Sequence, residues 1–307
     1  MTRFESMTNV DGAITRTADA RVPVLDRGFL YGDSIYEVFR TYGGVPLFYD
    51  EHWRRFENSA ALIRMRIGLT QGELTAAIRA TIAATGAPKL GTDVYVRYVV
   101  TRGEGPVDLF PAPELKTRYV IIVRPVPSWS PELYSRGVRA AIAATRRNPS
   151  SALDPNIKGG NYLNNVLGVM DARALGADDC VMLNDAGLVT EASNSNVWFV
   201  LGGELVTPAQ SAANLVGLTK VALHDACRAH GLATRERDVP AAELPRATEC
   251  FITSATREVM PVVSLRLADG EVLRFPEGGG ALTRRAAGYY KEHVAQYLRD
   301  HAHLSLF

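Results

Sequence analysis

Cysteine is scarce in this chain of 307 residues: Cys180, Cys227 and Cys250 are odd in number and far apart. That spacing excludes a disulfide framework and a CxxC metal site, and the three read as small buried hydrophobes. The six histidines show no HExxH or other paired ligand spacing, so no metal is expected. Excess charge is lacking too. The 34 basic and 33 acidic residues leave a net charge of +1, too little for a nucleic-acid or anionic membrane face. No run approaches the roughly 18 apolar residues of a spanning helix. No N-terminal charged-then-apolar segment is present, so a cytoplasmic location is expected. Internal repeats and low-complexity tracts are absent. Lysine is rare: only Lys89, Lys116, Lys158, Lys220 and Lys291 stand among the 34 basic residues, which leaves few amines for covalent chemistry.

What is present is ordinary soluble material, 47% hydrophobic and 22% charged. The length suggests two domains and enough core to bury about three quarters of the unfolded surface. The first seven residues read as a loose tail. Ser34–Tyr42 alternates apolar and polar side chains up to Gly43-Gly44, a strand entering a hairpin. Helical spacing predicts helices over 51–67 and 73–84, the second stopped by Gly86 and Pro88. Residues 93–102 and 118–123 are β-rich. Residues 124–129 (RPVPSW) carry two prolines and make a stiff extended connection. The expected organisation is therefore an N-terminal α/β domain over 1–124, a linker over 125–130 and a larger C-terminal domain over 131–307. Strands near 138–144, Asp179–Leu183 and 196–200, with helices over 162–175, 219–230 and 282–300, place the fold in the α/β (α+β) class.

Two segments carry chemistry. Residues 156–167 read NIKGGNYLNNVL, with Lys158 followed at once by Gly159 and Gly160. Paired glycines let a backbone approach a bulky planar group, and a lysine so placed suits Schiff-base chemistry at a lowered pKa. The same residues could also make a surface turn. Residues 190–199 read TEASNSNVWF. Glu191 sits among small polar residues before a strand, where Asn194, Ser195 and Asn196 could hold it charged against a cation, or could form a plain polar turn.

Together, IKGGNYL and LVTEASNSNVWF in this order and spacing resemble the fold-type IV pyridoxal-phosphate family of branched-chain aminotransferases, D-amino-acid transaminases, (R)-amine transaminases and aminodeoxychorismate lyases. The resemblance runs from about Val10 to Tyr297. It implies that Lys158 forms the Schiff base with pyridoxal 5′-phosphate and later moves the α-proton. By the same resemblance Tyr162 bonds the cofactor's phenolate, and Glu191 keeps its pyridine nitrogen protonated. Phosphate contacts fall on Arg55 in HWRRF, on Leu218 and Thr219 in NLVGLTKV, and on Ala255 and Thr256 in TSATREVMP. A helix opening near Thr219 offers free amides to an anion.

On the substrate side, LYGDSIYEVFR and DVYVR resemble family segments that line the pocket. Tyr31, Tyr36, Val38 and Arg40 fall there, and Tyr95 and Arg97 share one strand face for a substrate carboxylate. Branched-chain enzymes usually carry glycine where Val38 stands, which narrows the pocket as in the D-amino-acid and (R)-amine members. TRGEGP resembles the VTRG segment of the D-specific enzymes and the lyases, but no Arg-x-His trap follows it. Arg102 is either a substitute carboxylate or amine gate, or a loop charge. The expected activity is transamination from hydrophobic or branched-chain L-amino acids to a 2-keto acid such as 2-oxoglutarate, by a ping-pong route. The alternatives are a D-amino-acid or (R)-amine transaminase, or aminodeoxychorismate lyase, because one fold hosts all of them. A cofactor-binding protein without turnover is the reading from another class. The resemblance implies a homodimer with small-molecule substrates.

Overall fold

The computed structural model describes residues 4–307. The chain divides into two units, one of Met1–Pro127, Ile157–Asn161 and Gln296–Phe307, the other of Ser128–Asn156 and Tyr162–Ala295. The first crossing falls inside the proline-rich 124–129 segment. A single division there does not describe the rest. Ile157–Asn161 joins the first unit because its backbone pairs with a strand there. The C-terminal residues join it because Leu304 and Leu306 pack into its core.

The first unit contains β1 (Met7–Val10), β2 (Ala13–Arg16), α1 (Arg27–Tyr31), β3 (Ser34–Tyr42), β4 (Val45–Pro46), α2 (Tyr49–Leu62), α3 (Gln71–Thr85), α4 (Ala87–Leu90), β5 (Val94–Thr101) and β6 (Arg118–Pro125). Its sheet is antiparallel throughout, in the order β2-β1-β6-β5-β3-β4. The expected seven-residue tail is shorter, since Met7 already pairs with Arg16; residues 1–3 lie outside the described part. Alternation in β3 sends Ile35 and Phe39 to one face. They pack with Val96 and Tyr98 of β5, Phe56 of α2, and Leu74, Ile78 and Ile82 of α3. Burying each such side chain contributes about 1.5–3 kcal/mol. The i, i+4, i+8 spacing of Leu74, Ile78 and Ile82 is what commits α3 to that face.

Helix ends follow local chemistry. α3 starts two residues before the expected 73 because Thr70 and Glu73 form a reciprocal capping box. It stops at Gly86, whose φ of 77° is left-handed. α2 ends at Leu62 rather than the expected 67. Arg64 is left-handed at φ 54°, and Met65 N–H returns to the Ala60 carbonyl at 2.9 Å.

The second unit holds α5 (Pro131–Arg136), β7 (Val138–Ile142), α6 (Leu163–Ala174), β8 (Asp179–Leu183), β9 (Val189–Ala192), β10 (Asn196–Leu201), β11 (Glu204–Pro208), α7 (Leu218–Ala229), β12 (Thr234–Arg237), β13 (Glu249–Ser254), β14 (Glu258–Arg266), β15 (Val272–Arg274) and most of α8 (Ala281–Asp300). The sheet runs β12-β11-β10-β13-β14-β7-β8-β9, with β15 on β14. The β7–β8, β7–β14 and β11–β12 pairs are parallel, and the rest are antiparallel. Every residue of β8, β9 and β10 is buried; Cys180–Leu183 and Val197–Leu201 are continuous apolar runs, while β9 buries Thr190 and Glu191 among them. No described helix is long and apolar enough to cross a membrane. Cys180, Cys227 and Cys250 are buried free thiols. Burial pushes Cys180 up to about 12 and Cys227 to about 11, which makes them inert packing residues.

Candidate active site

β4 covers only Thr41 and Tyr42 of β3, so the start of β3 has an open edge. Ile157–Asn161 takes that edge. Tyr36 N–H donates to the Lys158 carbonyl at 2.9 Å, and Gly160 N–H donates to the Ser34 carbonyl at 3.0 Å. A Cβ on Gly160 would stand 2.3 Å from Ser34 Oγ, and one on Gly159 3.1 Å from the Ser34 carbonyl oxygen. The glycine pair therefore serves the approach to Ser34 of β3. Lys158 is pinned by its backbone, with its N–H on Ser59 Oγ of α2 at 3.1 Å. Its Nζ stands 3.4 Å from Tyr36 Oη and 4.6 Å from that ring's centre.

The β3–β5 register pairs Tyr36 with Val99, Val38 with Arg97, and Arg40 with Tyr95. Directly paired residues point to one face, so Tyr36, Val38, Arg40, Tyr95 and Arg97 share the face opposite the core. The Arg97 guanidinium lies 3.7 Å from the Tyr36 ring centre, Arg124 caps Tyr95 at 4.5 Å, and Arg40 stacks on Tyr42 at 4.2 Å. Tyr31 closes α1 under Arg27 at 4.8 Å. Arg102 is different. Its Nε donates to Asp33 at 2.7 Å, Nη1 to the Arg64 carbonyl at 3.1 Å and Nη2 to the Ile63 carbonyl at 2.8 Å. Nη1 and Nη2 thus cap the C-terminal end of α2 while Nε holds Asp33, so all three nitrogens are engaged within the first unit.

On the core face of β3, Glu37 is fully buried between Ile35 and Phe39. Arg55 of α2 donates Nε and Nη2 to its two oxygens at 2.7 and 2.8 Å, the planar fork that suits a carboxylate. His52 Nδ1 lies 2.7 Å from the same carboxylate. Burial alone would raise Glu37, but the Arg55 guanidinium and His52 outweigh it and hold the carboxyl well below its usual range. Burial pushes His52 down despite Glu37. Arg55 is held above its usual value because Glu37 more than offsets desolvation. Glu37 and His52 were not singled out from sequence. The available signal was a lone carboxylate on the apolar phase of a strand, facing His and Arg at i, i+3 on the next helix.

In the second unit Glu191 lies on β9 and is buried. Arg147 Nη2 stands 3.0 Å from its Oε1, and Leu215 N–H donates to Oε2 at 3.1 Å. Arg147, also missed from sequence, reaches the side-chain oxygens of Asn164 and Asn165 at 3.4 Å, and Asn165 holds the Ser193 carbonyl at 2.8 Å. The asparagines after Tyr162 thus brace the Glu191 turn, and Tyr162 itself is the N-cap of α6. The loop before α7 is tied in the same way: Asn196 Nδ2 donates to the Leu215 carbonyl at 2.8 Å, and Val216 N–H donates to Asn156 Oδ1 at 3.1 Å. α7 opens at Leu218 after Gly217, with no side-chain cap among the described residues. Its first amides, those of Leu218 and Thr219 included, have no partner within the helix, and a helix start of this kind favours an anion. A Cβ on Gly217 would sit 2.0 Å from Asn196 Oδ1, so only glycine lets the loop lie this close. Ala255 and Thr256 occupy the three-residue turn from β13 to β14, whose ends pair as Ser254 with Glu258.

The amino-transferase class IV family model matches residues 34–265, and the chain belongs to that family. It is 32% identical to a putative branched-chain-amino-acid aminotransferase of Methanocaldococcus jannaschii over 92% of this chain and 94% of that one. It is 31% identical to a D-alanine aminotransferase of Bacillus licheniformis over 88% and 90%. The branched-chain amino acid aminotransferase of Thermobaculum terrenum, solved in its pyridoxal-phosphate form, superposes with a TM-score of 0.80 at 26% identity, over 96% and 95% of the two chains. This chain is an aminotransferase of fold type IV, and pyridoxal 5′-phosphate is its cofactor.

Proposed function

We propose that the enzyme transfers the amino group of hydrophobic or branched-chain L-amino acids to a 2-keto acid such as 2-oxoglutarate, by a ping-pong route. When bound, pyridoxal phosphate supplies the electron sink for negative charge at the substrate α-carbon. Lys158 Nζ is the amine that would hold the cofactor aldehyde and move the substrate α-proton. Glu191, fixed by Arg147 and Leu215 N–H, keeps the pyridine nitrogen protonated, and Tyr162 donates to the phenolate oxygen. Arg55, Thr219, Thr256 and the amides of Leu218, Thr219 and Ala255 hold the phosphate.

The observation that carries the substrate reading is the shared face of Tyr36, Val38, Arg40, Tyr95 and Arg97. Its arginines give a substrate carboxylate charged donors, while Tyr36 lies beside Lys158 Nζ. The test is the absorption spectrum of the cofactor-loaded enzyme mixed separately with L-leucine, D-alanine and (R)-1-phenylethylamine. Loss of the yellow band with L-leucine alone is expected. The 31% identity to a D-alanine aminotransferase, together with Val38, favours one second reading, a D-amino-acid donor. Bleaching by D-alanine instead of L-leucine would put that reading first. Parallel double-reciprocal lines are the kinetic expectation, and intersecting lines would exclude ping-pong.

The enzyme acts as a homodimer in this reading. Leu163, Val166, Leu167 and Met170 run along one side of α6 at 66, 49, 43 and 61% exposure, an apolar stripe of the kind a second copy covers. Light scattering on the eluting protein should give twice the monomer mass.

A further inference from the structure

Arg257 follows Thr256 and has no part in the assignments above. Its guanidinium is nearly buried, with Nη1 2.5 Å from Asp179 Oδ2 and 3.4 Å from Ser195 Oγ. The plane lies 4.7 Å from the centre of the Trp129 ring. Trp129 is itself anchored, its indole N–H donating to the Thr256 carbonyl at 3.1 Å. Tyr134 Oη donates to the Arg257 carbonyl at 3.2 Å. Two of the turn's three carbonyls are therefore held by aromatic side chains from the segment around α5. The partner is equally fixed. Asp179 is 3% exposed, and its Oδ1 accepts from Cys180 N–H at 2.8 Å and Ser193 N–H at 3.4 Å.

One buried ion pair thus touches two turns. Through Ser193 and Ser195 it holds the turn that follows Glu191, and through Arg257 it holds the turn that carries Thr256. A three-residue hairpin connection would otherwise sample several conformations, and a phosphate contact misplaced by about 1 Å is largely lost. We propose that Arg257, clamped by Asp179 and Trp129, is a positioning residue that fixes the Thr256 turn relative to the Glu191 turn and so sets how tightly the enzyme holds the phosphate of its cofactor. The proposal rests on the reading of Thr256 as a phosphate contact.

The experiment compares cofactor affinity, measured by dialysis of holoenzyme against graded pyridoxal phosphate, with the affinity for pyridoxal, which lacks the phosphate. Arg257→Gln should raise Kd for pyridoxal phosphate roughly tenfold or more, the scale of one charged hydrogen bond, and leave pyridoxal unchanged. Arg257→Lys should recover part of the loss. Trp129→Phe keeps an aromatic face for Arg257 but removes the N–H, and should weaken pyridoxal phosphate alone by a smaller factor. Should Arg257→Gln not fold, the Asp179→Asn/Arg257→Gln pair, which buries no lone charge, takes its place with the same expectation. Native affinity for pyridoxal phosphate in these variants, alongside weakened binding in Thr256→Val, would overturn the proposal alone. Equal weakening of both ligands would overturn it too, as general loosening. Native affinity in Thr256→Val itself would remove the underlying reading.

Discussion

Glu37 shows how much one residue can be asked to do. It occupies an apolar position of β3, fully buried, and two basic side chains of α2 converge on it. Breaking a buried ion pair from one side leaves the other charge uncompensated, at about 3–5 kcal/mol. Glu37→Gln should therefore destabilise the protein by that order in urea unfolding, and should weaken pyridoxal phosphate because the Arg55 fork loses its template. A stability change under about 1 kcal/mol, the range of an exposed pair, would show that Glu37 is dispensable. Lys158 is the contrasting case. Its backbone is bonded to Ser59 and to β3, so Lys158→Ala should retain the fold and abolish turnover. Measurable transamination by that variant would remove Lys158 from its role. Lys158 stood out in the sequence because lysine is rare, two glycines follow it and IKGGNYL resembles a family segment. Glu37, His52 and Arg147 did not stand out, because their partners lie on other elements, and the one local mark, a carboxylate on the apolar phase of β3, does not name its partner.

At the scale of elements, the longest periodic segments were legible and their ends less so. Ser34–Tyr42 stands where alternation puts it, and Asp179–Leu183 where its apolar run puts it. α2 does not run to 67, because its end is set by Arg102, almost 40 residues later, which takes the Ile63 and Arg64 carbonyls. β14 escaped because Pro261 inside Glu258–Arg266 argues against a central strand; it is tolerated just before the stretch that pairs with β7, which begins at Val262. β9 and β11 are too short to show a period. The Arg102 assignment has its own test. Arg102→Ala should cost about 1.5–3 kcal/mol, the value of a charged hydrogen bond, and should speed amide exchange at the end of α2. KM for the amino donor should not move. A raised KM with unchanged stability would return Arg102 to the substrate side. Gly217 is the same argument at α7. Its φ of −73° is open to any residue, so Gly217→Ala tests only the clash with Asn196. Weaker pyridoxal phosphate binding is expected, and native affinity would show that the loop can yield.

At the scale of the whole molecule, the titrating groups agree in sign. His52 in one unit and His224 in the other are lowered from their ordinary 6.5, chiefly by burial. The unfolded chain therefore binds more protons than the folded one as pH falls below about 6.5, and stability is lost in that window. Glu37 is lowered from 4.5 against its own burial by Arg55 and His52. Its contribution is complete above that value and is lost as pH falls through it, so acid unfolding should come in two stages. At the other end, burial raises Tyr49, Tyr98 and Tyr297 from 10.0. The unfolded tyrosines ionise first, and stability should fall again above about pH 10. The expected profile of Tm is a plateau from about 6.5 to 10 with a shallow step below it and a steep loss beneath about 4.5. His52→Gln and His224→Gln should each flatten the shallow step, while Glu37→Gln should remove part of the steep one. A wild-type Tm that is level from pH 7 to 5 would mean that neither histidine enters the fold neutral, and the pairing drawn for His52 with Glu37 would have to be that of a charged imidazole.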